Sequence, residues 1–100
     1  MERMTKSILI VGLNDKDAKK QIIPTDDALE IIYNTLSMFY EGATVSRVDG
    51  FYQGMHEASV KLEILNSDAE ADSKLAEALK IALNQECVYY ELAKVDAAFI

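Results

Sequence analysis

Read for the spacing of its apolar residues, the chain falls into segments that alternate between strand and helix periods. The first runs from Lys6 to Leu13. There Ile8, Leu9, Ile10 and Val11 are consecutive apolar residues, as expected of a central strand covered on both faces. Gly12-Leu13-Asn14-Asp15 ends it, and the charged stretch from Asp15 to Gln21 reads as an exposed loop or flap. Leu29, Ile32, Leu36 and Phe39 or Tyr40 then recur at helical spacing. Thr25, Asp26 and Asp27 offer an N-cap and an acidic first turn that suits the helix dipole. Asp27 with Glu30 resembles a capping box, and Gly42 is the expected stop.

Residues 43–52 read as a second strand, favoured by Thr44, Val45 and Val48, with a bulge expected where the alternation falters at Arg47-Val48. Gln53-Gly54-Met55 is the turn. From Glu57 to Leu65 the alternation is clean: Ala58, Val60, Leu62 and Ile64 share one face, and Glu57, Ser59, Lys61 and Glu63 the other. Ser67-Asp68-Ala69-Glu70 reads as a capping box opening a second helix, whose apolar stripe is Ala71, Leu75, Ala78, Leu79 and Ala82. Asn84-Gln85 ends that helix. A fourth strand, 87–93, places Val88, Tyr90 and Leu92 on one face and Cys87, Tyr89 and Glu91 on the other. Residues 95–100 either continue it past a kink or form a short extra strand.

The order strand-helix-strand-strand-helix-strand is the ferredoxin-like, βαββαβ pattern of the α+β class. It implies a four-stranded antiparallel sheet with two helices on one face. Right-handed crossovers set the first and third strands side by side in the centre, and these two are expected to run parallel to each other. The second face of the sheet is left open. Its centre is apolar because the first strand is apolar on both sides, and Ser59, Lys61, Glu63, Cys87, Tyr89 and Glu91 surround that centre. An apolar centre with a polar, tyrosine-bearing rim is built like an interface. A homo-oligomer through this face or its edges is therefore expected, with a small-ligand pocket between copies.

Composition narrows the classes. One hundred residues make a single domain, 1–100, and with half of them hydrophobic the chain is not disordered. No apolar run approaches the roughly 20 residues of a membrane span. The short run SILIVGL lacks a cleavage site, so a cytoplasmic protein with no membrane contact is expected. Cys87 is the single cysteine, and no Cys/His cluster suggests a metal. The net charge of −7 argues against nucleic acid, which calls for a basic stripe. No cofactor motif is present either. Gly50-x-x-x-Gly54 lacks the Lys-Ser/Thr of a phosphate loop and precedes a strand, and Gly12-Leu13-Asn14 fails the dinucleotide pattern.

Candidate chemistry collects in GFYQGMHEAS, Gly50 to Ser59, which holds the one histidine. His56 would need an orienting partner, and Glu57 points to the opposite face of a strand. With the central strands parallel, His56 and Cys87 lie at opposite ends of the sheet, roughly 25 Å apart. That arrangement rules out a Cys–His pair, separates Glu57 from Glu86, and brings Glu57 towards Lys94. Arg47, Lys61 and Lys74 are the bases inside the core elements suited to a phosphate or carboxylate. Tyr52, Tyr89 and Tyr90 suit packing at an interface.

The run Gly50-x-Tyr52-x-Gly54-x-x-Glu57-x-Ser59, the helix-to-strand junction Gln85-Glu86-Cys87-Val88 and the strand end Gly12-Leu13-Asn14 together resemble a family of small domains of unknown function found in bacteria, phages and prophages. The resemblance spans about residues 7–92. It implies the same α+β fold, transfers no catalytic residue, and marks Glu57, Ser59, Gln85 and Glu86 for testing. It also brings in a context of phage accessory and anti-defence factors.

These readings converge on a non-enzymatic, oligomeric binding protein of phage type that sequesters a small anionic ligand such as a nucleotide signal. The ligand-binding residues expected are Arg47, Tyr52, Glu57, Ser59, Lys61 and Tyr89, with no catalytic residue and no cofactor. A second reading is an acidic inhibitor that mimics DNA, presenting Asp68, Glu70 and Asp72 to a protein partner. A third is a small dimeric α+β barrel enzyme using His56 or Glu57 in a cavity between sheet and helices.

Overall fold

A computed structural model describes residues 1–100. The elements are β1 (Glu2–Gly12), α1 (Thr25–Leu36), β2 (Thr44–Tyr52), β3 (Met55–Leu65), α2 (Ala69–Ala82) and β4 (Tyr89–Ala97). The strands form one sheet in the order β2-β3-β1-β4, and every neighbouring pair is antiparallel. This is the ferredoxin-like α+β fold. The central pair, however, is antiparallel and not parallel. β1 and β2 are joined across a helix and run the same way; the tight hairpin then reverses the chain, so β3 must oppose β1.

Strand parity fixes the faces. Leu9 sits opposite Leu62 on one side and Tyr90 on the other, and Val11 opposite Val60. Leu9, Val11, Val60, Leu62 and Ile64 are buried beneath Ala28, Ile32 and Leu36 of α1 and Leu75 and Leu79 of α2. This is the helix-covered face and the core of the molecule. On the open face Ile8 lies between Glu63 and Glu91, and Ile10 between Lys61 and Tyr89. The apolar centre and polar rim expected of that face are present.

Local details depart from the sequence reading in physically clear ways. α1 starts at Thr25 behind Pro24, with no side-chain cap, and ends at Leu36, well before Gly42. Pro24 needs no N–H where a helix begins. α2 is capped by Asp68, which accepts from the Ala71 amide at 2.9 Å, one residue later than the Ser67 box suggested. The β2–β3 register runs unbroken from Thr44↔Glu63 to Tyr52↔Met55, so no bulge occurs at Arg47-Val48. β3 starts two residues earlier than the alternation marked, because Gln53 and Gly54, with φ of 52° and 76°, make a two-residue turn. β4 runs on to Ala97 without a kink and extends β1 back to Glu2.

The 15–21 loop is not a flap. Asn84 binds the Asp15 carboxylate at 2.8 Å and the Asp17 carboxylate at 3.0 Å, and the Lys16 amide donates to the Asn84 carbonyl. Gln85, buried at the end of α2, donates to the carbonyls of Asn14 and Leu83. These bonds fasten the loop to the end of α2.

Candidate ligand-binding site

The end of the sheet formed by the last turn of β1 and the first residues of β3 gathers unusual geometry. Glu57 enters β3 opposite Gly50, and Ser59 lies opposite Gly12. Both glycines belong to the open face, and at both the missing Cβ leaves room for a side chain of β3. A Cβ on Gly12 would collide with the Glu57 carboxylate. A Cβ on Gly50 would stand 2.9 Å from the Ser59 hydroxyl. The missing side chains let Glu57 fold back across β1, where Oε2 accepts the Asn14 amide at 3.0 Å. Ser59, itself buried, donates to the Glu57 carbonyl at 3.1 Å. The half-buried carboxylate is thus oriented by one backbone donor, while Oε1 keeps its acceptor capacity.

Further along the open face stands Lys61, opposite Ile10 and Ser46. It takes no part in the chain's ion pairs, whereas Lys6 is bound to Glu63 at 3.1 Å. Tyr89, opposite Ile10, donates to Glu91 at 3.0 Å, and that bond together with the Glu91 charge raises its pKa. Tyr52, at the hairpin tip opposite Met55, shares this face by alternation. The structure therefore gathers Tyr52, Glu57, Ser59, Lys61 and Tyr89 on one surface. Arg47 is separated from them: it lies opposite Val60 on the helix side and pairs with Asp26 of α1 at 2.6 Å.

The antiparallel centre also revises the distances drawn from the sequence. β4 pairs with β1 so that Tyr89 meets Ile10, and β3 pairs so that Ser59 meets Gly12. The starts of β3 and β4 are therefore at the same end of the sheet. The separation that excluded a His56–Cys87 pair, and set Glu57 apart from Glu86, does not hold. His56 is instead bound to Asp49 at 2.9 Å, an exposed pair that the sequence reading missed. Lys94 lies at the far end, opposite Thr5 and bonded to its hydroxyl at 2.9 Å, away from Glu57.

Two more expectations change. Asp72 is not part of an acidic surface: it is fully buried and accepts the hydroxyls of Tyr40 at 2.5 Å and Tyr90 at 2.7 Å. Nor is there a reaction chamber between sheet and helices, where the space beside Leu13, Ile23 and Leu83 amounts to about 10 Å³. A concavity of about 410 Å³ lies instead between the start of α2 and β4, beside Ser67, Leu92 and Lys94. Asn14, Asn84 and Gln85 act through side chains and amides directed at backbone or carboxylate partners. The Gly12-Leu13-Asn14 and Asn84-Gln85 strings were their only trace in the sequence.

No protein-family model matches the chain, and no curated protein matches it. Solved structures do. A phage SAM lyase in complex with S-methyl-5'-thioadenosine superposes with a TM-score of 0.65 at 23% identity, over 94% of this chain and 86% of the lyase. The apo state of a phage SAM lyase matches over the same shares with a TM-score of 0.63. A DUF3240-family protein from Shewanella baltica matches with a TM-score of 0.61 at 19% identity, over 100% of this chain and 98% of that one. The chain thus shares its fold with small bacterial and phage domains, one from a family of unknown function. The reading of the chain as a non-enzyme is overturned by this likeness, because nearly the whole chain adopts a fold on which a lyase is built. No helix is long and apolar enough to cross a membrane.

Proposed function

We propose that the chain is a phage-type accessory enzyme that binds S-adenosylmethionine, or a closely related sulfonium nucleoside, on the open face and cleaves it. The observation that carries this reading is the Glu57 carboxylate, folded over Gly12 and held by the Asn14 amide with one oxygen free. A fixed sulfonium cation is matched by such a carboxylate, and burial strengthens the attraction. Lys61, four residues along β3 and so about 13 Å away, would meet the substrate's carboxylate. Tyr89 and Ile10 offer flat and apolar surface to the base. The fold shared with a lyase that holds S-methyl-5'-thioadenosine supports the same ligand class.

Release of methylthioadenosine breaks the bond between the sulfonium sulfur and the aminobutyryl carbon. The bond pair returns to sulfur, which becomes a neutral thioether. The carbon is satisfied by loss of a neighbouring proton to a base such as Glu57, or by ring closure from the substrate's own carboxylate. An anti-defence role fits a protein that consumes a nucleotide-like molecule instead of holding it.

Incubating the purified protein with S-adenosylmethionine and following methylthioadenosine by liquid chromatography and mass spectrometry tests the reading. Time-dependent product that Glu57→Gln suppresses is expected. Absence of turnover, together with no calorimetric binding of methylthioadenosine, would overturn it.

A further inference from the structure

The concavity between the start of α2 and β4 lies on the helix-covered side of the sheet, at the end away from Glu57. Thr5 of β1, Leu92 and Lys94 of β4, and Ser67 and Asp68 just before α2 line it, and it measures about 410 Å³. Ligand sites enclose roughly 300–1,000 Å³. Thr5 lies opposite Lys94, while Gly12, beneath the Glu57 carboxylate, is further along the same strand. At about 3.3 Å per residue, more than 20 Å of β1 divides this place from the Glu57 site.

Two opposite charges border the concavity without meeting. Lys94 donates to the Thr5 hydroxyl at 2.9 Å and enters no ion pair, and Asp68 enters none either. The Lys94 ammonium keeps further N–H donors, and Thr5, accepting from it, keeps its own proton to give. One Asp68 oxygen, Oδ2, accepts the Ala71 amide at 2.9 Å, and Oδ1 takes no hydrogen bond within the chain. The helix terminus is capped by that bond, and recognition here does not depend on it.

Two hydroxyls at this end of the sheet are buried without a partner. Ser67 Oγ, whose residue lines the concavity, and Ser7 Oγ make no hydrogen bond. Ser7 is fully buried, opposite Leu92 and on the same face of β1 as Thr5. With Thr5 they gather three hydroxyls in one place. Buried hydroxyls are nearly always bonded, and each exception calls for a physical reason. An acceptor held in the concavity supplies that reason for Ser67. Leu92, 47% exposed, and Ala93 give the same space an apolar wall.

From these groups we infer a second binding site, which takes the zwitterion of a small aliphatic α-amino acid. The ligand's carboxylate meets the Lys94 ammonium and the hydroxyls of Thr5 and Ser67. Its ammonium faces the free oxygen of Asp68, and its side chain lies on Leu92 and Ala93. A simple anion would set like charge against Asp68, and a simple cation would do the same to Lys94. Only a ligand that carries both charges satisfies both walls, and the mismatch with singly charged molecules gives the site its selectivity. The inference rests on this concavity alone and stands apart from the ligand proposed for the Glu57 end.

Isothermal titration calorimetry of the full chain with L-leucine tests it. Saturable binding is expected, and isovalerate and isopentylamine, which each carry one of the two charges, should bind about tenfold more weakly or worse. Asp68→Asn keeps an acceptor for the Ala71 amide and removes the charge, and Lys94→Gln keeps a donor. Each should weaken leucine binding by about tenfold, with circular dichroism showing an unchanged fold. Ser67→Ala removes a hydroxyl that has no partner in the chain, so its melting temperature should hold or rise while leucine binding weakens several-fold. Saturating methylthioadenosine should leave leucine binding unchanged. Absence of saturable heat with leucine would mean that water alone meets the Ser67 hydroxyl. That result, isovalerate binding as well as leucine, charge variants that bind as wild type does, or displacement of leucine by methylthioadenosine would each overturn the inference.

Discussion

Tyr90 on β4 donates its hydroxyl to Asp72 on α2 at 2.7 Å, and Tyr40, beyond the end of α1, donates to the other carboxylate oxygen at 2.5 Å. The Tyr40 hydroxyl also accepts the Asp68 amide at 3.1 Å. One fully buried carboxylate therefore ties the edge strand and the end of the first helix segment to the start of α2. Hydrogen bonds to a charged acceptor contribute about 1.5–3 kcal/mol each. We expect Asp72→Ala to cost about 2–3 kcal/mol, since the freed phenols regain some water, and Tyr90→Phe to cost about half as much. At roughly 4–8 °C per kcal/mol for a domain of this size, the melting temperature of Asp72→Ala should fall by about 10–20 °C. Thermal unfolding followed by circular dichroism measures it, and a change within a few degrees would show that the cluster adds little.

The same cluster sets an alkaline limit. Burial, then the bond to Asp72, pushes the Tyr40 hydroxyl up to about 12, and the same two causes raise Tyr90. A group whose pKa is higher in the folded chain than in the unfolded one stabilises fully below the unfolded value, and the gain is lost as pH rises through the folded value. For Tyr40 that window runs from about 10 to about 12. Stability measured by urea unfolding should therefore decline across that window. Tyrosinate absorbance should show three of the five tyrosines ionising late, Tyr89 beside Glu91 and, furthest displaced, the cluster pair Tyr40 and Tyr90. In Asp72→Asn that pair should titrate earlier.

At the candidate site, Gly12 and Glu57 should separate geometry from charge. An alanine at position 12 would push aside the end of a flexible side chain, so the fold should survive with a loss of about 1 kcal/mol or less. The Glu57 carboxylate, however, would lose the place where the Asn14 amide holds it. Glu57→Gln keeps an acceptor for that amide and removes only the charge. Both variants should weaken methylthioadenosine binding or S-adenosylmethionine turnover, on the order of tenfold, with melting temperatures near wild type. If Gly12→Ala binds and turns over as wild type does, the posture of Glu57 is not functional.

Much of the fold was readable in the sequence because periodicity is local. The run Ile8–Val11 and the alternation from Ala58 to Ile64 assign strands and faces without any tertiary knowledge. Ser59, Lys61 and Tyr89 reach the open face by parity alone. What failed was direction: reversing one central strand moves the start of β3 from one end of the sheet to the other, and with it the relation of His56 to Cys87. Arg47 failed for a related reason, because the reading gave it no face, and parity sets it with Val60 and Asp26. Asp72 could not be read at all. Its partners lie 32 and 18 residues away, and an acidic residue in the first turn of a helix is ordinarily solvated.

The β2–β3 turn offers a stability test independent of function. Gln53 and Gly54 both have positive φ, at 52° and 76°, which a two-residue turn of this hand demands. Gly54→Ala should destabilise by about 1 kcal/mol, since a Cβ is strained there. Gln53→Asn should stabilise by a few tenths of a kcal/mol, because asparagine tolerates this conformation better. Opposite shifts in the urea midpoint, at unchanged slope, would confirm the turn geometry.

The loop that joins β1 to α1 should be acid-sensitive through Asp15. Its carboxylate accepts the amides of Ala18 at 2.9 Å and Asp17 at 3.0 Å, and the Asn84 side chain at 2.8 Å. The Ala18 bond first, then the Asn84 bond, hold its pKa below the ordinary value of 3.8. For a lowered pKa the stabilisation is present above the unfolded value and disappears as pH falls through the folded one. The loop should therefore stay latched at neutral and mildly acid pH and loosen only below about 3.8. Hydrogen exchange across residues 15–21, corrected for intrinsic rates, should show protection of the Asp17 and Ala18 amides collapsing in that range. Asp15→Asn should already have lost much of this protection at neutral pH and show little further dependence on acid. Protection that persists in the wild type until the whole domain unfolds would mean that the Asn84 and Gln85 contacts hold the loop without the carboxylate.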